Sequence, residues 1–198
     1  MIGQGPARKR LNIPMKIRNS EAVIMTWEKG RHRMSSHAPP HYQCPFCAIV
    51  RGEERDDVAT RQEDIVLRAS EVTAFISSHQ WPNNPGHVLV IPNEHKENIY
   101  SLPDALAIPL QSTVRSIALA LKTAFDCPET STRQHNEPAG GQDVWHYHIH
   151  VFPRYPSDGL YGSQRQRIPP ELRKDQALAI WRVLDQNELS GMQGATSP

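Results

Sequence analysis

The chain has 198 residues, enough for one domain with a buried core, or one domain with tails. Lys plus Arg is 22 and Asp plus Glu is 21, so the formal net charge is +1, which gives no global pull toward nucleic acid or an anionic membrane. No apolar run approaches the roughly 20 residues of a membrane-spanning helix, and among 17 prolines and 10 histidines the histidines matter because they cluster.

Residues 1–43 carry eight basic side chains against Glu21 and Glu28, net +6, and the rest of the chain is net −5. Without sustained apolar periodicity, the segment reads as a disordered basic tail that ends in the turn-rich stretch through Pro39 and Pro40. The stretch from Ala22 to Trp27 is too short for a secretory signal and is followed by charge, so a cytoplasmic protein is expected; Met34 offers a second candidate start. Three cysteines cannot form a paired framework: Cys44 and Cys47 make a Cys-x-x-Cys, which reads as a metal or redox pair, and Cys127 reads as a small buried apolar residue.

Ile65 to Arg68 and Val72 to Ile76 read as strands joined by a turn at Ala69–Glu71. Gln80 to Gly86 is a loop by its Pro, Asn and Gly content, and His87 to Ile91 is a short strand stopped by Pro92. A helix follows, capped by Ser101, with Asp104 in its first turn. Leu106, Leu110, Val114, Ile117, Leu121 and Phe125 form its apolar stripe, and Pro109 predicts an early kink. Thr132 to Asn136 is expected as a strand, Glu137 to Gly141 as a tight loop, and Asp143 to Pro153 as a long strand. Pro169 and Pro170 introduce a final helix with Leu172, Ala177, Ile180, Trp181 and Leu184 on its apolar face, and the last ten residues read as frayed. The pattern implies an α+β domain: an antiparallel sheet of about five strands with one long helix and a C-terminal helix.

The informative stretch is Trp145-His-Tyr-His-Ile-His-Val-Phe152. On a strand, Val144, His146, His148, His150 and Phe152 share one face, and Trp145, Tyr147, Ile149 and Val151 share a core-quality opposite face. Three imidazoles spaced about 6.5–7 Å apart on one face are costly to bury as structure alone, because each ring nitrogen needs a partner. A three-histidine metal site is one reading. It leaves unexplained the loop just upstream, Glu137 to Gln142, whose glycines and backbone N–H groups suit an anionic oxygen such as a phosphate. Neutral histidine is also a nucleophile near pH 7.

His146-Tyr-His-Ile-His-Val-Phe152 resembles the signature of the histidine triad superfamily of nucleotide hydrolases and transferases. Cys44 to Glu53, Pro85 to Pro92 with His95, and Asn136 to Gln142 resemble further blocks of that superfamily, in the expected order, so that residues 44–162 are expected as the domain and 163–198 as a helical extension. The resemblance implies a HIT-like fold, a nucleotide substrate, a homodimer, and neither a membrane nor a specific nucleic acid as partner. It makes His148 the nucleophile toward the α-phosphorus, with His150 facing the phosphate oxygens. Gln142 and the N–H groups of Gly140 and Gly141 would hold developing charge, Asn136 would lie near the bridging oxygen, and His87 would assist proton transfer. It also implies zinc, held by Cys44, Cys47, His95 and the first triad residue, His146, with the metal structural.

Two positions depart from familiar members. His79 stands where an Asn or Asp binds the ribose hydroxyls, so His79 is expected at the nucleoside. Asp143 stands where a hydroxyl often contacts phosphate, so its carboxylate must turn away, bind a cation or mark a different substrate. A hydrolase of a dinucleoside polyphosphate or nucleoside phosphoramidate is expected. His150, where transferases of the superfamily commonly carry Gln, disfavours nucleotidyl transfer. A nucleotide-binding signalling module and a zinc-dependent thiol redox protein are the readings from other classes.

Overall fold

Short runs of branched and aromatic residues build the sheet. The computed structural model describes residues 36–194, with side chains through Gln186; the expected tail over 1–35, with the Ala22–Trp27 stretch and Met34, lies outside the described residues, as do 195–198. Strands β1 (Ile65–Arg68), β2 (Val72–Ile76), β4 (Val88–Pro92), β6 (Ile149–Arg154) and β5 (Glu129–Gln134) form one antiparallel sheet in the order β1-β2-β4-β6-β5. A small second ladder pairs β3 (His79–Gln80) with β7 (Gln166–Arg167).

Strands β2 and β4 are buried along their whole length because both faces are covered. On one face Val72, Ala74, Ile76, Val88, Val90, Tyr147, Ile149 and Val151 pack beneath helix α2 (Ala107–Ala124) through Leu110, Val114, Ile117 and Leu121. On the other face Phe75, Leu89 and Ile91 meet Phe46, Ala48 and Ile49 of helix α1 (Pro45–Arg51). The triad lies on this second face, because His150 pairs across the ladder with Leu89.

Helix α1 was not anticipated from the sequence. Its signals are short-range: Pro45 at the first position and Gly52 just past the end at φ 76°. Helix α2 begins later than the Ser101 cap suggests. Single 3-10 turns occupy Ile99–Ser101 and Asp104–Leu106, and Asn98 rather than Ser101 caps the first of them. Pro109 therefore falls in the first turn of α2, where no intrahelical N–H bond is lost and no kink is required. Cys127 is buried, as expected.

The long strand expected over Asp143–Pro153 is shorter. Its ladder begins at Ile149, because His146 N–H turns back to the Val144 carbonyl (2.8 Å) and Tyr147 N–H donates to Lys96 O (2.5 Å). Trp145 accordingly leaves the core face and stacks on His37 at 5.8 Å. That contact, together with Tyr42 Oη accepting from Trp145 N–H at 3.3 Å, packs residues 36–43 against the site strand. Strand β5 lies two to three residues earlier than expected.

Helix α3 (Pro170–Gly194) joins the core through Ala177 and Ile180, and it continues into the stretch read as frayed. Leu172 and Trp181, expected on its apolar face, are exposed, and Arg173 and Gln176 are buried in their place. Arg173 Nε donates to Asp64 Oδ2 at 2.9 Å, with side chains 1% and 2% exposed, and its other nitrogens donate to the carbonyls of Ile168 (3.0 Å) and Ala59 (2.6 Å). Each of the three guanidinium nitrogens donates a hydrogen bond, which supports the pair despite its burial. Removing one partner strands the other: Arg173→Met is expected to lower the unfolding free energy by about 3–5 kcal/mol in urea titrations. Arg173→Met with Asp64→Leu should recover most of that loss; a single-variant loss below about 1 kcal/mol would contradict this role.

Candidate functional site

The catalytic-face imidazoles are ordered by backbone carbonyls. His148 Nδ1–H donates to the His146 carbonyl at 2.7 Å, and His146 Nε2–H to Pro92 O at 2.9 Å. His87 Nδ1–H donates to His79 O at 2.7 Å. A carbonyl only accepts, so each of these nitrogens carries the proton and the opposite nitrogen carries a lone pair. His148 thereby carries its lone pair on Nε2.

Burial reinforces the neutral forms. His87 and His146 are pushed down to about 4 by desolvation, and the same effect lowers His148 and His150, with each ring's neighbouring cations and imidazoles adding to it. Desolvation also lowers His79, and Arg165 and Arg167 add to that.

His87, expected to assist proton transfer, reaches the site through His150. It is fully buried behind His150, with Nε2 accepting from His150 Nδ1–H at 2.9 Å and the rings stacked at 5.1 Å. His150 meets His148 edge-on at 4.9 Å. Gly86, which aims His87, has φ +86°, and a side chain there would fall 2.3 Å from the Phe125 ring.

The upstream loop is braced internally. Gln142 Nε2–H donates to Glu97 O (2.6 Å) and Val144 O (2.9 Å), and its Oε1 accepts from Glu137 N–H at 2.9 Å. Its amide is therefore spent on backbone, and it holds Glu137 in a conformation, φ 61° and ψ 167°, that non-glycine residues adopt only under constraint. The Gly140 and Gly141 N–H groups donate to Glu137 O and Pro138 O, so these bonds too are internal. The expectation that Gln142 and these two N–H groups meet phosphate charge has no free donors behind it here. Asn136 ties the loop to the turn before α2, its Oδ1 accepting from Ile99 N–H at 2.9 Å. His79 is exposed at the rim, 3.0 Å from Ser78 Oγ.

Several residues around the triad escaped the sequence reading. His135 packs edge-on against His150 at 5.6 Å and donates from Nδ1 to Gly140 O. Phe46 packs edge-on against His148 (5.4 Å) and His146 (5.8 Å). Trp81 backs His87 at 5.3 Å, and Arg133 lies over the rings of Tyr161, Trp81 and Phe152. His135 stood beside the quoted Asn136 block, and Phe46 inside the Cys-x-x-Cys, so proximity to a motif was the only signal.

The four residues expected at the metal come together. Cys44, Cys47, His95 and His146 each bring one donor atom, all within 4.8 Å of one another. His146 Nδ1, the lone-pair nitrogen, lies 3.4 Å from Cys44 Sγ and 3.6 Å from Cys47 Sγ, and His95 Nδ1 lies 3.2 Å from Cys47 Sγ. Burial and the neighbouring Cys44 push the Cys47 thiol up to about 12, so a thiolate at Cys47 needs a cation beside it. A Cys2His2 set with the histidine lone pairs facing the sulfurs suits a four-coordinate zinc ion.

The HIT domain family matches residues 59–157. A curated relative, Protein hit of Bacillus subtilis, is 35% identical over 120 residues, spanning 61% of this chain and 77% of that protein. An adenylylsulfatase of Arabidopsis thaliana is 29% identical over 124 residues, spanning 63% of this chain and 58% of that protein. Among solved structures, a zinc-bound histidine triad family protein from Mycobacterium smegmatis shares the fold at 23% identity with a TM-score of 0.62, covering 75% of this chain and 97% of that one. With the domain matched over half its length, and the Bacillus relative covered over more than three quarters of its own, the chain belongs to the HIT domain family.

Proposed function

We propose that the protein hydrolyses a nucleotide conjugate at the α-phosphate, a dinucleoside polyphosphate or a nucleoside phosphoramidate, through a nucleotidyl-histidine intermediate. The observation that carries this reading is the fixed tautomer of His148, whose Nδ1–H is committed to the His146 carbonyl so that Nε2 holds the lone pair. Family membership and the activity named for the Arabidopsis relative agree with it.

In the first step the His148 Nε2 lone pair forms a bond to the α-phosphorus as the bond from phosphorus to the bridging atom breaks. The leaving group departs with that electron pair, as an oxyanion from a polyphosphate or, from a phosphoramidate, as an amine that takes a proton from solvent water. His150 is the imidazole beside the nucleophile, and His87 supports it through the 2.9 Å bond between their rings. In the second step water attacks phosphorus and gives up a proton to solvent water, and the Nε2–phosphorus bond breaks to return neutral His148. Asn136, Gly140, Gly141 and Gln142 shape the loop beside the triad, and His79 lies at the rim where a nucleoside enters. A homodimer fits the exposed apolar side chains of Ile99, Tyr100, Ile108 and Leu119.

Cys44, Cys47, His95 and His146 would hold zinc, which supplies structural cross-linking between α1 and the triad segment. His146 Nδ1 lies toward that cluster, and His148 Nε2 does not take part in it.

His148→Ala is expected to keep the fold and to lower hydrolysis of diadenosine triphosphate by roughly a thousandfold or more in steady-state assays. A variant that keeps more than a few per cent of activity has a different nucleophile. Protein purified without added metal should contain about one zinc per chain by elemental analysis. Cys44→Ser and Cys47→Ser should lose it and lower the melting temperature more than they lower turnover, and native protein without zinc would contradict the assignment.

Stability should fall in acid because of His87. Its folded-state value is depressed to about 4 from 6.5, so between these limits the unfolded chain binds a proton that the folded one refuses. The contribution is complete above pH 6.5 and is lost as pH falls toward 4. His87→Asn should flatten the slope of unfolding free energy across this window by up to about 1.4 kcal/mol per pH unit. An unchanged slope would contradict the buried neutral state.

A further inference from the structure

Residue 165 lies outside the segment that the family matches, yet it stands at the triad. Arg165 Nη2 is 3.3 Å from Asp143 Oδ2, and the same carboxylate's Oδ1 is 4.0 Å from His148 Nε2. The Asp143 carboxylate thus lies between the nucleophilic nitrogen and a guanidinium that is 42% exposed. Arg165 also lies 6.0 Å over the Trp81 ring. Its charge contributes to lowering His79, His87, His148 and His150, so the cation acts on four of the site's imidazoles.

Arg165 is delivered by a pinned segment. After it, β7 pairs with β3 through Gln80–Gln166 and His79–Arg167, and Ile168 N–H donates to Ser78 O at 3.0 Å. The buried Arg173 then holds the Ile168 carbonyl. Before it, Leu160 is buried with Trp81 and Phe152, and Ser163 Oγ–H donates to Leu160 O. Strand β7, which Arg165 immediately precedes, is the partner of the strand whose His79 carbonyl orders His87.

A phosphate approaching His148 Nε2 meets the Asp143 carboxylate first, and like charges at that range repel. Asp143 must yield, and Arg165 then needs another anion. The anion at hand is the part of the substrate beyond the reacting phosphorus, one carboxylate's width further out. The opposite case, a leaving group with a cationic amine, meets the Arg165 guanidinium and is repelled. We propose that Arg165 selects the leaving group: it binds an oxyanion, phosphate or sulfate, carried by the group that departs, and in the free protein Asp143 holds it in place as an exchangeable counter-ion. This rests on the hydrolase reading above and narrows it to conjugates with an anionic leaving group.

The test compares three substrates with one adenylyl group: diadenosine triphosphate, adenosine 5′-phosphosulfate, and an adenosine phosphoramidate with a neutral amine. Loss of a charge-assisted hydrogen bond corresponds to about a 10- to 100-fold change. Arg165→Gln should lower kcat/KM by that factor on the first, the second or both, with a loss at least tenfold smaller on the phosphoramidate, and Arg165→Lys should restore part of it. The larger loss between the two anions says whether phosphate or sulfate is the group bound. Equal losses on all three substrates would overturn the proposal and make Arg165 a general structural residue. If the native protein turns over none of them, the hydrolase reading fails, and equilibrium binding decides about Arg165 separately. ADP should then bind native protein about tenfold or more tighter than AMP, and that advantage should vanish in Arg165→Gln. An advantage that is absent from the native protein, or survives the substitution, overturns the proposal.

Discussion

A carbonyl oxygen can only accept, and the chemistry of this site depends on that fact. The carbonyls of His79, Pro92 and His146 take N–H bonds from His87, His146 and His148 in turn. Each bond fixes a proton on one ring nitrogen and a lone pair on the other. The lone pair of His146 then faces two sulfurs, that of His87 faces His150, and that of His148 is left without a hydrogen-bond partner among the described residues. Three imidazoles of the same chemical type acquire three tasks through their acceptors.

Those acceptors are set by the sheet. Pro92 closes β4, His79 opens β3, and His146 precedes β6, which pairs with β4 through Leu89 and His150. A one-residue slip of β6 would exchange the imidazole face with Tyr147, Ile149 and Val151, which pack under α2. The hydrophobic register that folds the domain is therefore the register that orients the histidines. Helix α1 adds a second tie, since Cys44 and Cys47 face His146 while Phe46, between them, packs against His148. Burial favours the neutral form of these rings, so the His148 lone pair is present without a separate base.

Strands β2 and β4 were legible within a residue because burial on both faces leaves little choice of element, and the half-buried edge strand β1 was legible from its branched run before the turn at 69–71. The metal cluster was legible through the resemblance, as the Cys-x-x-Cys alone names only two ligands. Residues 143–148 alternate as a strand does, yet their hydrogen bonds go to Val144 and Lys96, partners that no local period reveals. Gln142 was read as a phosphate ligand because an amide beside two glycines can serve either role, and only the fold shows its bonds already made to Glu97, Glu137 and Val144. Arg165 gave no local signal: it reaches the triad through the pairing of β7 with β3, a contact across more than eighty residues.

The covalent intermediate on His148 is the claim on which the rest turns. Rapid quenching into alkali during turnover of diadenosine triphosphate, followed by digestion and mass spectrometry, measures it directly. The account predicts one adenylyl group on the peptide that contains His148, formed within a single turnover, lost on mild acid treatment as a phosphorus–nitrogen bond requires, and absent in His148→Ala. An adenylyl group on another side chain, or turnover of the substrate with no adduct at any time after mixing, would contradict it.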